Sequence, residues 1–386
     1  MYPGNEEPGS LVGTWKARGQ ELTCASATTI YPTRPPGYTS DPDAAREDAM
    51  GTPVSEVLSC VAFILGAAVS LATSWVLVSR LERVGERFGL TEALLGMVAA
   101  LAADAPEITA SITALVHHQP TVGAGVVLGS NVFNLAALLG LGAVVAGRIS
   151  LHRKVVVFSG TVAILIGAAC LLSVGGKLSA GVGLAVVLAV LVPFVALLGA
   201  HRRILGRLGL PARWTAWLKE AIVEEEIEIK EGIYPQRGTR ADALVAGGAL
   251  VVVILASVAM ERGASSLGTH FAIPEIIVGG LVLAAVTSLP NAVSAIYLAR
   301  RGRGAATLST ALNSNSLNVT AGLLIPATVI GLAKPSASGL LVAGWYVGLT
   351  ALALVLAYAG HGLQRATGGL IIAAYAFFVV ALLVIT

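Results

Sequence analysis

Charged residues are scarce in this chain. Only 12% of its 386 residues are Asp, Glu, Lys or Arg, while 55% are hydrophobic; a soluble domain carries about 25% charged residues. The net charge of +3 gives no indication of nucleic-acid binding, because the basic residues lie between the apolar stretches. The composition therefore excludes an ordinary soluble domain and predicts a chain that lies in a lipid bilayer.

Cysteine is also rare, and membrane strands are not indicated. The three cysteines, Cys24, Cys60 and Cys170, form neither a disulfide framework nor a metal-binding spacing. The alternating polarity of membrane strands is absent, whereas apolar stretches recur, each close to the roughly 20 residues that a helix needs to cross a bilayer. We therefore predict an all-α polytopic membrane protein with ten transmembrane helices. The predicted spans are Val57–Ser79, Thr91–Val116, Val122–Ala146, Val155–Val174, Leu178–Ala200, Ala243–Met260, Ile273–Leu298, Ala305–Ile330, Gly339–Ala359 and Gly368–Thr386.

The chain divides into four regions by composition. Residues 1–53 are polar, rich in Gly and Pro, and contain no apolar run, which predicts a disordered tail. We predict a first five-helix repeat at 54–200, a charged cytoplasmic loop at 201–242, and a second five-helix repeat at 243–386.

Two stretches 184 positions apart share one pattern of polar residues. The first contains A-D-A-P-E, ending at Glu107, and G-S-N-V-F-N, ending at Asn134. The second contains T-S-L-P-N, ending at Asn291, and N-S-N-S-L-N, ending at Asn318. The pattern occupies the second and third spans of each half, and five spans per half force the two halves into opposite orientations. Such inverted repeats carry a transporter's binding site near the membrane midplane.

The basic residues predict the orientation. With the N-terminus outside, the loops on the cytoplasmic side hold most of the Lys and Arg, and the outer loops between spans hold only Lys177, Arg262 and Lys334. Positive loops face the cytoplasm. We therefore expect a plasma-membrane protein with its N-terminus outside and its central loop in the cytoplasm.

Pro106 and Pro290 fall mid-span at repeat-equivalent positions. Proline removes a helical hydrogen bond and disfavours helix at the residue before it, so each span should be discontinuous. Asp104 and Glu107 are the only acidic residues within a predicted span interior. A charge at mid-bilayer costs roughly 2.5–3.5 kcal/mol or more, so these acids indicate a functional site.

Amide and hydroxyl residues accompany these breaks. Taken singly, each is as well explained as hydrogen-bonding glue between helices. Their repeat-equivalent positions favour a shell of oxygen ligands suited to Na⁺ or Ca²⁺. They are Ser130, Asn131, Asn134, Thr287, Ser288, Ser314, Asn315 and Asn318.

The two segments resemble the alpha repeats of the sodium/calcium exchanger superfamily, whose usual form is G-T-S-L-P-E followed by G-S-N-x-x-[ND]. The resemblance implies a shared central site for Na⁺ and Ca²⁺ and exchange by alternating access. The chain departs from the pattern at several positions. Asp104 replaces the Ser of the first repeat, Asn291 replaces the Glu of the second, Asn313 replaces a Gly, and Asn318 stands where many exchangers have Asp.

The resemblance favours Na⁺/Ca²⁺ exchange without a cofactor, the transported ions being Ca²⁺, Na⁺ and, in one alternative, H⁺. The expected partners are inorganic cations and the lipid bilayer, with no nucleic acid and no obligatory protein partner. The expected metal ligands are Glu107, Asp104, Ser130, Asn134, Thr287, Ser288, Asn291, Ser314 and Asn318. Because two neighbouring acids in a dry site do not easily both ionise, proton-coupled cation exchange stays open. A degenerate, non-transporting membrane subunit, favoured by the loss of Glu at position 291, is the alternative of another class.

Overall fold

Helices make up almost all of the structure. The computed structural model describes residues 53–88, 92–199 and 238–386, with the isolated positions 213, 216–218 and 220. The tail predicted for residues 1–53, apart from its last residue, lies outside the described residues, as does most of the loop predicted for 201–242. The helix that follows this loop begins at Arg240, three residues before the predicted span.

The helices before residue 200 include two spans made of several segments. A π-helical segment, Leu135–Leu141, joins two of the α-helices. The α-helices are α1 (Pro53–Arg87), α2 (Glu92–Ala103), α3 (Ala105–Val116), α4 (Pro120–Asn134), α5 (Gly142–Ala146), α6 (Arg153–Val174) and α7 (Ala180–Gly199).

The helices after residue 238 follow the same order. Two π-helical segments, Val278–Leu283 and Asn318–Leu324, are continuous with their flanking α-helices. The α-helices are α8 (Arg240–His270), α9 (Glu275–Ile277), α10 (Ala284–Thr287), α11 (Leu289–Arg300), α12 (Gly304–Leu317), α13 (Ile325–Ile330), α14 (Ala337–Gly360) and α15 (Arg365–Ile385).

The bounds of the helices repeat with the 184-residue offset of the sequence pattern. Helix α3 maps onto α11 residue for residue, and α4 begins at Pro120 where α12 begins at Gly304. Gly147 and Gly331 end the corresponding helices α5 and α13 with positive φ angles of 86° and 95°, a conformation that glycine adopts readily. The repeat therefore extends from the motifs to the helices that carry them.

The prolines lie where a helix begins. Pro106 is in the first turn of α3 and Pro290 in the first turn of α11. Proline is tolerated there because its missing N–H would have no intrahelical partner. Each predicted break is thus a new helix start rather than a kink within one helix, and helices 275–287 and 289–300 are bent by 47°.

The prediction of an all-α polytopic membrane protein is confirmed. Seven helices among the described residues are long and apolar enough to cross a membrane, and the bent pair brings the number to eight. The two other predicted spans, Thr91–Val116 and Ala305–Ile330, are helical where the structure describes them, but the first is interrupted at Asp104 and the second is rich in Asn, Ser and Thr. The count of ten transmembrane helices stays a prediction.

The motif helices lie at the centre of the bundle. Residues 120–146 are almost entirely enclosed by other helices, whereas fewer than a third of the residues in the most apolar stretches of α7 and α15 are buried. Helix α4 lies directly against the second half, since a Cβ added to Gly129 would lie 2.1 Å from the Gly280 carbonyl oxygen. One small strand pair, β1 (Arg148–Ser150) and β2 (Gly362–Gln364), joins two loops in antiparallel register.

Candidate cation-binding site

The two helix breaks have the same backbone geometry. Asp104 separates α2 from α3 with φ −80° and ψ −5°, and Ser288 separates α10 from α11 with φ −81° and ψ −4°. Both residues are fully buried. The breaks are therefore repeat-equivalent in conformation as well as in sequence position.

The Asp104 carboxylate lies against the second half of the chain. Its Oδ1 accepts hydrogen bonds of 2.6 Å from both the Asn291 amide and the Ser314 hydroxyl. Asn291 Nδ2 also lies 3.3 Å from Ser314 Oγ. Asp104 thus contacts Asn291, the residue that replaces the second Glu of the exchanger motif.

The Glu107 carboxylate makes the matching contact. Its Oε1 accepts a 2.6 Å hydrogen bond from Ser288 Oγ, and its carboxyl group lies close to that of Asp104. Adding 184 to 104 and 107 gives 288 and 291, so the contacts Asp104–Asn291 and Glu107–Ser288 are one contact formed twice. Each copy contains a single acid, which lies before the proline in one and after it in the other.

The asparagines of the partner helices bond across the repeat. Asn131 Nδ2 donates to the Asn315 carbonyl and Asn315 Nδ2 donates to the Asn131 carbonyl, both at 3.1 Å. Asn134 Nδ2 donates to Asn315 Oδ1 at 3.0 Å, and Asn318 Nδ2 lies 3.4 Å from Asn131 Oδ1. Asn131 and Asn315 therefore hold the two halves together, while Asn134 and Asn318 each keep a carbonyl oxygen free of that pairing.

Two predicted site residues hydrogen-bond to the backbone near the second break. Thr287 Oγ1 donates to the Leu283 carbonyl at 2.9 Å, and Ser130 Oγ lies 3.5 Å from the Ala284 carbonyl. Both residues are fully buried. The structure thus brings them to the second break, and neither forms a hydrogen bond to a carboxylate there.

Four buried oxygen atoms of the site have no hydrogen-bond partner: Asp104 Oδ2, Glu107 Oε2, Asn134 Oδ1 and Asn318 Oδ1. An unpaired polar atom in the interior is costly, and oxygens of this kind are the ligands that hard cations such as Ca²⁺ take. The described residues contain no group of three or more His, Cys, Asp or Glu that could hold a metal ion. The donors here are instead a mixed set of carboxylates, amides and hydroxyls.

One buried acid escaped the sequence analysis. Helix α8 continues to His270, ten residues past the predicted end at Met260, so Asp104 and Glu107 are not the only acids within a long apolar helix. Glu261 is 1% exposed and accepts a 2.9 Å hydrogen bond from Ser265. It lies near His117 and Arg262, beyond the C-terminal end of α3, so it is separate from the site.

The family model described as Sodium/calcium exchanger protein matches residues 58–199 and 242–384. The inner membrane protein YrbG of Escherichia coli (strain K12) is 26% identical over 277 residues, which is 71% of this chain and 80% of YrbG. CaxA of Alkalimonas amylolytica is 33% identical over 84 residues, or 22% of this chain, and the chain spans only 26% of CaxA.

Solved structures of exchangers share the fold. A structure of the sodium-calcium exchanger NCX_Mj superposes with a TM-score of 0.53 at 21% identity, covering 84% of this chain and 99% of that one. The H⁺/Ca²⁺ exchanger CAX superposes with a TM-score of 0.62 at 15% identity, covering 88% of this chain and 84% of that one.

Proposed function

This chain belongs to the sodium/calcium exchanger family, an integral membrane family of cation/Ca²⁺ antiporters, and we propose that it exchanges Ca²⁺ for Na⁺ by alternating access to the site between the two helix breaks. The observation that carries the proposal is that Asp104, Glu107, Asn134 and Asn318 each have one buried oxygen atom without a hydrogen-bond partner. Bound cations would satisfy oxygen atoms of this kind.

In the proposed site, Glu107 and Asp104 supply the charge. Together the two carboxylates balance one Ca²⁺. The neutral oxygens complete the shell and favour a metal ion over a proton, because a proton needs only a carboxylate. The neutral residues proposed as ligands are Ser130, Asn134, Thr287, Ser288, Asn291, Ser314 and Asn318.

Proton coupling is the second candidate. The carboxyl groups of Asp104 and Glu107 lie close to each other, and two neighbouring buried carboxylates do not easily both stay ionised without a cation between them. A proton could then take the place of the departing Ca²⁺. In the protonated state of this candidate the oxygens of Asn134 and Asn318 would stay unpartnered, whereas bound Na⁺ could engage them.

The alternative of a degenerate, non-transporting subunit started from the loss of Glu at position 291. The hydrogen bond from Asn291 to Asp104 weakens this argument, because an acid still lies within that contact.

We further propose that the two predicted repeats, 54–200 and 243–386, move against each other, that the N-terminus lies outside the plasma membrane, and that no cofactor takes part.

A flux assay on the purified chain in proteoliposomes tests the proposal. Vesicles are loaded with Ca²⁺, and either an inward Na⁺ gradient or an inward proton gradient is imposed. We expect Ca²⁺ efflux under the Na⁺ gradient, and the same efflux when a protonophore collapses any pH difference. Efflux under the proton gradient alone would favour the second candidate, and no efflux under either gradient would favour the degenerate subunit.

A further inference from the structure

Helix α14 buries a tyrosine hydroxyl that has no use in packing. Tyr346 is 1% exposed, and its side chain is among the largest that the described residues enclose fully. Within that part of the chain, its hydroxyl oxygen has no hydrogen-bond partner. A buried tyrosine hydroxyl ordinarily finds a partner, and an unpaired one is costly, so phenylalanine would fill the same space more favourably. The hydroxyl therefore indicates a role other than filling the core.

This hydroxyl lies at the edge of the candidate cation site. Helix α14 packs against both α4 and α6. A Cβ added to Gly167 of α6 would lie 3.5 Å from Tyr346 Cε1 and 3.7 Å from Cζ, so the ring rests against α6 where that helix lacks a side chain. Its hydroxyl lies beside the Asn131 side chain of α4. Tyr346 thus reaches one of the two asparagines that join the halves of the chain.

Asn131 is the less firmly held member of that asparagine pair. Asn315 Oδ1 accepts a hydrogen bond from Asn134 Nδ2 at 3.0 Å, whereas Asn131 Oδ1 lies 3.4 Å from Asn318 Nδ2. These are again one contact formed twice, because adding 184 to 131 and 134 gives 315 and 318. The longer copy of the contact is the one beside Tyr346.

Tyr346 also departs from the symmetry of the repeat. Helices α6 and α14 are repeat-equivalent, and subtracting 184 from 346 gives 162, where the sequence has Val162. Asn315 therefore has no equivalent phenol. Asn131 Oδ1 has two lone pairs, so it is able to accept from both Tyr346 and Asn318. The hydroxyl without a partner lies where the amide contact is longest.

We propose that Tyr346 is a positioning residue of the cation site, whose hydroxyl donates to Asn131 Oδ1 in the cation-bound state and thereby orients Asn318. This inference rests on the proposed function and adds to it a residue that does not touch the ion. Asn318 donates through Nδ2 to Asn131 and has its Oδ1 unpartnered. A cation that engages this Oδ1 makes the amide a stronger donor, because linked hydrogen bonds polarise one another. Asn131 then closes on both of its donors.

Tyr346→Phe tests this role because it removes the hydroxyl and keeps the ring. We expect the half-saturating Ca²⁺ concentration of Na⁺-dependent exchange in proteoliposomes to rise by about two- to tenfold, the change that corresponds to one hydrogen bond. The maximal rate, and the unfolding midpoint measured without Ca²⁺, should not fall. Tyr375→Phe is the matched control, since this half-buried ring packs against Phe133 with centroids 5.8 Å apart. It should leave the half-saturating concentration and the midpoint at wild-type values.

A double-mutant cycle tests whether Tyr346 acts through Asn318. The effects of coupled residues do not add, whereas those of independent residues do. In an Asn318→Ala background, Tyr346→Phe should cause no further rise in the half-saturating Ca²⁺ concentration. In a Ser288→Ala background, which changes the contact with Glu107, Tyr346→Phe should cause the same fold-rise as in the wild type.

A rise in the half-saturating concentration that disappears in the Asn318→Ala background supports the inference. A wild-type value for Tyr346→Phe, or a rise that persists without Asn318, overturns it. A Tyr346→Phe chain that unfolds at a lower temperature or fails to fold also overturns it, because the hydroxyl is then a structural group. All of these outcomes leave Na⁺/Ca²⁺ exchange by the wild-type chain standing. A wild-type chain without Na⁺-dependent Ca²⁺ exchange overturns the proposed function and this inference together.

Discussion

At the scale of single residues, the site separates amides that join the two halves from amides that keep an oxygen free. Asn131 and Asn315 bond to each other's backbone, whereas Asn134 and Asn318 retain an unpartnered Oδ1. All four lie in the same pattern of sequence. The four residues differ in the partner to which each amide hydrogen-bonds. Those partners lie in the other half of the chain.

Asn318→Ala is therefore expected to weaken Ca²⁺ binding. It removes a free buried oxygen, and loss of one such interaction with a charged group corresponds to about a tenfold rise in the half-saturating Ca²⁺ concentration. Asn313→Ala is the matched control on the same helix, because the Asn313 amide already bonds to Ser309 at 3.0 Å. The measurement is the Ca²⁺ dependence of exchange. Equal effects of the two substitutions would argue against Asn318 as a ligand.

The sequence located the two acids at a helix break but did not identify their hydrogen-bond partners. Asp104 and Glu107 were identified because a carboxylate within an apolar span is energetically costly and therefore indicates a function. Pro106 and Pro290 located the breaks. The sequence could not show that Ser288 would bond to Glu107 or Ser314 to Asp104, because these contacts join residues about 200 positions apart. Glu261 was missed because α8 continues as a helix beyond its apolar run.

At the scale of elements, helix α4 approaches the second half backbone to backbone. A Cβ on Gly129 would lie 2.1 Å from the Gly280 carbonyl oxygen, whereas the nearest atom to a Cβ on Gly280 is 3.7 Å away. The approach lies immediately before Ser130 of the site. The sequence showed glycines in both motifs but could not show which of them needs to lack a side chain.

Gly129→Ala should consequently destabilise the protein, by about 1–3 kcal/mol as is usual for overpacking, and it should slow exchange by forcing α4 away from the second break. Gly280→Ala places the same methyl group on the other side of the contact and should be well tolerated. The thermal unfolding midpoint of the purified variants, together with their exchange rates, tests this difference. Similar midpoints for both variants would mean that the approach is looser than described.

At the scale of the whole molecule, the contacts between loops agree with the predicted sidedness. Strands β1 and β2 join two loops predicted to be cytoplasmic. A Cβ on Gly176 would meet Pro335, and His117 contacts Arg262 at 3.0 Å, each pair being predicted to lie outside. Each of these contacts joins two positions that the sequence places on the same side of the membrane. The proposed orientation of the two sides rests on the distribution of Lys and Arg.

Two repeat-equivalent positions test the inversion. Ser150 and Lys334 are 184 residues apart, and both are exposed. In a variant whose native cysteines are replaced, Lys334→Cys should react with an impermeant thiol reagent added outside intact cells, and Ser150→Cys should react only after permeabilisation. Exchanged reactivities would reverse the proposed orientation. Labelling of both from outside would contradict the inverted repeat itself.

The most direct test of the site compares the Na⁺-dependent Ca²⁺ exchange rate of Glu107→Gln with that of Glu261→Gln. Both substitutions remove one negative charge from a buried glutamate and keep its shape, but only Glu107 lies at the helix breaks. In matched proteoliposomes, we expect Glu107→Gln to abolish Na⁺-dependent Ca²⁺ exchange while the protein stays folded, and Glu261→Gln to exchange at close to the wild-type rate. Wild-type exchange by Glu107→Gln would contradict the assignment of the cation site to these breaks.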